Sequence, residues 1–232
     1  MKKAAIIVPV VILAFFLINL PYEDINPQIK KVKVKSVKVK KKKIQHKSMK
    51  TVNAIVDFET GYNNVDDMIK DSDVIIQGTV LSVSYFDENH KGGLEIPSTE
   101  SKVKVTRAYN KNIHVGDVLT FTEIGGVTTQ KKIIDRLRNG TGNAKFKNND
   151  ITPVKSLING ADVMSPNQNV MLFATFESPQ NKEVYSPLCS YEGKFLINKD
   201  GTIERIKADD KGLANLKFTQ AEMDEKLKGF NK

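Results

Sequence analysis

Residues 74–86 read VIIQGTVLSVSYF. The stretch is rich in β-branched residues, which suit a pleated strand. It is apolar on both parities. Val74, Ile76, Val80 and Ser82 fall on one side, and Ile75, Leu81, Val83 and Tyr85 on the other. Gly78 interrupts the run, and a glycine inside a strand marks a bulge or a bend. A long, bent strand with apolar residues on both faces is the pattern of a small closed or half-closed barrel. The expected fold class is therefore mainly β: a small barrel-like antiparallel sheet of about six to seven strands.

Working outward, residues 87–97 read as a loop around Gly92-Gly93, and residues 101–109 (SKVKVTRAY) as a strand. There Val103 and Val105 point inward, with Lys102 and Lys104 outward. Gly116-Asp117 marks a turn before a third strand at 118–124 (VLTFTEI), which Gly125-Gly126 closes. Residues 127–162 are less regular, with one or two helical turns at 131–137 and a flexible loop at 139–150. Residues 168–176 (QNVMLFATF) are apolar almost throughout, which predicts a central strand. Strands at 184–189 and 194–198 follow, and the Asp200-Gly201 turn returns the chain through 202–206. Upstream, Asn64 is the expected N-cap of a short helix ending near Ser72. Downstream, Thr219 caps a C-terminal helix over 221–228 without a full capping box, and Met223 and Leu227 form its apolar stripe.

Residues 4–20 (AAIIVPVVILAFFLINL) contain no charge. As a helix they span roughly 25 Å, enough to cross a thin bilayer. Phe15–16 and residues 17–20 offer no small-residue cleavage site, so an uncleaved signal anchor is expected. The positive-inside rule, applied to the lysines farther on, would hold them in the cytoplasm. Lys2 and Lys3 at one edge of the apolar run, with Glu23 and Asp24 at the other, instead set the N-terminus inside and the remainder outside. The expected division is a signal anchor over 1–22, a lysine-rich tether over 23–50 and an extracytoplasmic β domain over 51–232.

The net charge of +9 belongs to the tether, not to the fold. Residues 30–50 hold eleven lysines and no acid, which leaves residues 51–232 two charges negative. In the tether, Lys30, Lys31, Lys33, Lys35, Lys38, Lys40, Lys41, Lys42 and Lys43 repel one another over a Debye length of about 8 Å, which favours an extended chain. They are candidates for binding anionic lipid headgroups or an anionic wall polymer, at about 1 kcal/mol per lysine near a charged surface. The competing reading is a solubilising spacer. The single cysteine, Cys189, rules out an internal disulfide.

Catalytic patterns are sparse. His114, Cys189 and Arg205 occur in the chain order of a sortase-like transpeptidase, which would need a Cys189 thiolate, acid help from His114 and an Arg205 oxyanion contact. Cys189 sits in Ser-Pro-Leu-Cys-Ser rather than in the Thr-Leu-x-Thr-Cys setting of that class. Otherwise Cys189 is a small apolar strand residue and Arg205 an exposed strand residue. His46, His90 and His114 are scattered without ligand spacing, and Asp66-Asp67 and Asp209-Asp210 read as helix ends or solvated loops, so no metal or cofactor is expected. Gly125-Gly126 lacks the rest of a phosphate loop. Tyr85, Phe86, Tyr109 and Phe121 are the aromatics an OB-like barrel would need for nucleic acid, but the domain's negative charge opposes that partner.

Three segments, 72–80 (SDVIIQGTV), Val115-Gly116-Asp117 with 123–127 (EIGGV), and 193–197 (GKFLI) with Asp200-Gly201, resemble a group of uncharacterised secreted or membrane-anchored proteins of Gram-positive bacteria. The resemblance spans about residues 64–206. It implies export and a small β-barrel-like fold, and assigns no activity to any residue. The lysine tether and the 127–162 excursion depart from it. The expected function is a non-catalytic, single-pass membrane-anchored envelope module, displayed outside the cell, that binds a protein or an anionic polymer.

Overall fold

The computed structural model describes residues 49–58, 61–90, 94–141, 149–178, 181–209 and 212–230. The anchor expected at 4–20 and the lysine run lie outside the described residues. Among the described residues no helix is long and apolar enough to cross a membrane.

The domain is mainly β. After β1 (Lys50–Ala54), Asn64 caps α1 (Val65–Asp71), its side-chain oxygen accepting from the Asp67 N–H at 2.8 Å. Then come β2 (Val74–His90), β3 (Leu94–Ala108), β4 (Val118–Ile124) and β5 (Gly126–Thr129), followed by α2 (Gln130–Thr141). The chain continues through β6 (Pro153–Ile158), β7 (Asn169–Ser178), β8 (Asn181–Pro187), β9 (Lys194–Ile197), β10 (Ile203–Arg205) and β11 (Lys217–Phe218) to α3 (Gln220–Lys226). Eight strands form one sheet in the order β11-β10-β9-β7-β2-β3-β4-β8, and a smaller sheet has the order β1-β6-β5.

The expectation of a single antiparallel sheet of six to seven strands is corrected here. There are eleven strands among the described residues, and two pairings, β1–β6 and β4–β8, are parallel. The extra strands are short pieces such as β5, which hold too few residues to show a period. A second correction concerns 87–97. β2 and β3 pair from Ile76↔Ala108 out to His90↔Leu94, so most of the expected loop is the far end of a long hairpin. Asp87 and Glu95 are tolerated there because Lys132 of α2 reaches both carboxylates, at 2.8 and 3.3 Å.

β2 is two-sided only over residues 74–80. Past a register shift at Val80/Ser82 the expected parity is corrected, because Val83 packs on the side of Val80 rather than with Ile75, and Leu81 and Tyr85 are exposed. Val74, Ile76 and Val80 join Val103, Val105, Phe121, Val170, Leu172 and Ala174 in one core, while Ile75 enters another with Met171, Phe173, Phe195 and Ile203. Met68 of α1 and Met223 of α3 close that second core without exposed surface. β7 likewise alternates between the two, which explains its continuous apolar run and its central place. The register shift at Gln77/Gly78 is the bulge expected at the glycine, where Val103 and the Lys104 carbonyl approach too closely for a side chain.

β7 gives one edge to β2 and shares the other between β8, at Ala174–Ser178, and β9, at Val170–Leu172. β8 also pairs with β4. The hydrogen-bonded neighbours thus return on themselves: β2, β3, β4, β8, β7 and back to β2. Between β8 and β9 residues 188–193 loop outward, and Phe173 bonds both ends of the excursion, its carbonyl to Leu188 N–H and its N–H to Gly193 O.

The helices follow their sequence signals. Counted from Thr219, the third helical position is Glu222, and both halves of a capping box form; the expectation of an incomplete box is overturned by that spacing. The turns expected over 131–137 extend to a twelve-residue α2, whose Lys131–Asp135 pair one turn apart supports it. Residues 142–148 of the expected loop lie outside the described residues.

Candidate functional site

α2 positions a cleft lined by four cations. Thr129 accepts from the Lys132 N–H, and the N–H groups of Gln130 and Lys131 go to the carbonyls of Thr152 and Asp150, so the helix start is closed by its own chain. Ile133 and Ile134 share a groove with Val52 and Val154. The helix also carries five charged residues. Lys131, Lys132, Arg136 and Arg138 meet Glu95 and Asp135 around a cleft of about 340 Å3.

Most of these charges are paired. Asp135 takes Lys131 and Arg138, while Lys132 takes Asp87 and Glu95. Asp87 is also held by the Thr128 hydroxyl at 2.7 Å. Those bonds raise the Lys132 pKa, the Asp87 hydrogen bond most. Arg136 is the exception. Its Nε and Nη2 are shielded from solvent and have no hydrogen-bond partner among the described residues. Burial pushes its pKa down, and Asp87 and Glu95, acting through space, pull the other way.

The residues expected from sequence scatter. His114 lies exposed on the turn between β3 and β4, facing Asp117 at 3.8 Å. Cys189 sits in the outward excursion between β8 and β9, in the left-handed region at φ 46°, followed by Ser190 at φ 62°. It lies close enough to Arg205 and Tyr62 to interact with both electrostatically. Arg205 is not an exposed strand residue: it is 3% exposed and donates to the Tyr62 carbonyl at 2.6 Å and the Ala214 carbonyl at 3.0 Å. Glu192 takes the Tyr62 N–H at 2.6 Å. The Tyr62 peptide is thus clamped from both sides, which fixes the chain leading into α1. Burial lowers the Arg205 pKa to about 10, opposed by Glu192.

Asp66 pairs with Lys226, and Asp67 with Asn64, as helix-end residues. Asp209 accepts from Asn53, and Asp210 lies outside the described residues. Among the described residues no group of three or more His, Cys, Asp or Glu side chains could hold a metal ion. Gly125 and Gly126, both at positive φ, turn the chain from β4 into β5. Of the four aromatics, Phe121 is fully buried and the Tyr109 hydroxyl is tied to Gln77, Gln220 and Asp224; Tyr85 and Phe86 remain exposed. The tether lysines and His46 lie outside the described residues, and His90 ends β2.

Two features escaped the sequence reading. Glu123 and Lys194, each about 1% exposed at the side chain, form a buried ion pair. Glu123 also accepts the Met164 N–H at 2.9 Å, and Lys194 donates to the Asp162 carbonyl at 2.6 Å. The signal was there: Glu123 has the parity of buried Phe121. Arg136 was the other, legible only as one of four cations in KKIIDRLR. Comparison with family models, curated proteins and solved structures finds no match for this chain.

Proposed function

We propose that the chain is a non-catalytic cell-envelope module that binds an anionic polymer. Residues 4–20 hold it in the membrane, the lysine tether spaces it from the lipid, and the β domain faces outward. The setting is that of the secreted or membrane-anchored Gram-positive proteins it resembles. The observation that carries the non-catalytic reading is the fate of Arg205, whose Nη1 and Nη2 donate to two backbone carbonyls inside the core while its Nε lies buried without a partner among the described residues. The group that would steady an oxyanion beside Cys189 serves instead to hold the Tyr62 segment.

The ring β2-β3-β4-β8-β7 reads as a small barrel with the strand order of an OB fold, β4 and β8 being the parallel pair. That order favours a binding module, since OB barrels take linear polymers on their second and third strands. A nucleic acid on that face is the second reading. It meets Glu88 and Glu177 beside a cleft of about 210 Å3, which repel a phosphate backbone. Cationic surface is instead supplied by the tether and by α2.

The test uses the full chain in uncharged detergent, with poly(glycerol phosphate) as probe. We expect salt-sensitive binding that falls when the nine lysines at 30–43 are replaced by Gln. Absence of binding at low salt overturns the polymer reading. Loss of cellular phenotype in Cys189→Ala overturns the non-catalytic one. Protease shaving of intact cells should remove the β domain; protection until lysis overturns the outward topology.

A further inference from the structure

We propose that the α2 cleft is a phosphate-binding subsite with Arg136 as its principal donor. The proposal rests on the polymer-binding reading and names the group on the polymer that is recognised.

The argument begins from charge pairing. Around the cleft, Asp135 is shared by Lys131 and Arg138, and Asp87 and Glu95 are both engaged by Lys132. Among the described residues, Arg136 is the cleft cation left without a carboxylate at hydrogen-bond distance. A guanidinium carries five N–H donors in a planar fork matched to tetrahedral and carboxylate oxygens. Leaving two of them desolvated and unpaired is costly, because the water they lost has not been replaced. An oxyanion supplies what is missing. Arg136 already lines the cleft, and the subsite requires its side chain to rotate so that Nε and Nη2, now shielded, face the bound oxyanion. Lys131 and Arg138 stand on the same rim as secondary cations. The volume of about 340 Å3 has room for a phosphate with its ester substituents. Phosphate is favoured over a carboxylate because it offers oxygens to the fork and to the rim cations at once.

The chain has four arginines, Arg107, Arg136, Arg138 and Arg205. Arginine-selective nitrogen labelling of the full chain in uncharged detergent therefore gives four Nε–H signals. Inorganic phosphate is titrated against chloride at constant ionic strength. The expected result is a saturable shift of the Arg136 signal, with Arg136→Gln weakening phosphate binding about tenfold, the loss that follows removal of a hydrogen bond to a charged group. A shift that never saturates, or that moves Arg138 alone, overturns the subsite. If Arg136→Gln fails to fold, Arg107→Lys and Arg138→Lys assign their own signals, and buried Arg205 is recognised by slow solvent exchange, so the wild-type titration decides. Poly(glycerol phosphate) separates the two readings. Polymer binding that survives in Arg136→Gln without any Nε shift overturns the subsite and leaves the polymer reading standing. Saturable phosphate binding at Arg136 with no polymer binding supports the subsite and overturns the polymer reading.

Discussion

Replacing Lys194 by Met tests whether the Glu123–Lys194 pair holds the loop before β7. Both side chains are about 1% exposed, so neither charge can fall back on water. In Lys194→Met one Glu123 oxygen keeps the Met164 N–H, and the other is left with a buried, uncompensated charge. Breaking a buried pair from one side costs about 3–5 kcal/mol. The Asp162 carbonyl also loses its donor, but that residue is exposed, so water replaces the bond at little cost. Glu123→Leu should cost a similar amount, because Lys194 is then the stranded charge. The double variant removes both charges and leaves the Met164 N–H as the main orphan, at about 1–3 kcal/mol. The double should thus be more stable than either single variant, a large coupling in a double-mutant cycle. Urea denaturation of the full chain in uncharged detergent measures all four corners. If a single variant does not fold, recovery of folding in the double carries the same information. A cost below about 1 kcal/mol for Lys194→Met, or a double whose loss equals the sum of the singles, refutes the reasoning.

Gly193→Ala would place its Cβ against the Phe173 carbonyl oxygen and the Leu188 N–H at the root of the β8–β9 excursion; urea midpoints should show a loss of about 1–3 kcal/mol, as overpacking does. Tyr62 and Tyr109 are each pushed up to about 12, first by burial and then by the neighbouring carboxylates Asp71 and Asp224. Their neutral forms are favoured in the fold, so their contribution is complete below the usual phenol pKa near 10 and is lost as pH rises through about 12; ultraviolet titration should show these two phenols ionising late, and Tyr109→Phe should remove one late step. Thr219→Ala removes half of the capping box and should cost about 1 kcal/mol by thermal unfolding. Asp224→Asn should cost less than about 1 kcal/mol, because its pair with Arg107 is largely exposed.

Local rules were enough for α1, α3, the start of β2, β4 and β7, because cap chemistry and two-sided apolar runs act within a few residues. The hairpin end at 87–97 was hidden because its carboxylates look like loop residues until Lys132, which lies 37 or more positions away in sequence, is brought over them. β5 was hidden because a four-residue strand has no period to read, and β6 because its residues lay in a stretch read as irregular; for both the neighbouring strand supplies the order. Arg205 is the clearest case of tertiary context overriding composition: an arginine in a short strand beside a Lys-Asp-Gly turn reads as solvated, yet the Tyr62 carbonyl and the Phe195 ring give it a buried seat. The same limit explains why chain order alone could not say that Arg205 donates to the Tyr62 and Ala214 carbonyls. Chain order brought Arg205 to attention, and only its hydrogen bonds reveal what it is used for.

The segments that carry the resemblance, 123–127 and 193–197, meet at the Glu123–Lys194 pair. Gly193 lies against Phe173 where β8 and β9 part, and Gly125-Gly126 turns β4 into β5. Each of these residues is fixed by a demand of the fold: a charge to be neutralised, a backbone to be approached, a direction to be reversed. A chain that kept them would keep the inner clamp of this sheet and nothing more. Arg136 and the lysine tether lie outside these segments, in the excursion and the N-terminal run where this sequence departs from the pattern. Binding by those cations would therefore be independent of the residues that clamp the sheet, and the clamp's residues would carry no information about the ligand.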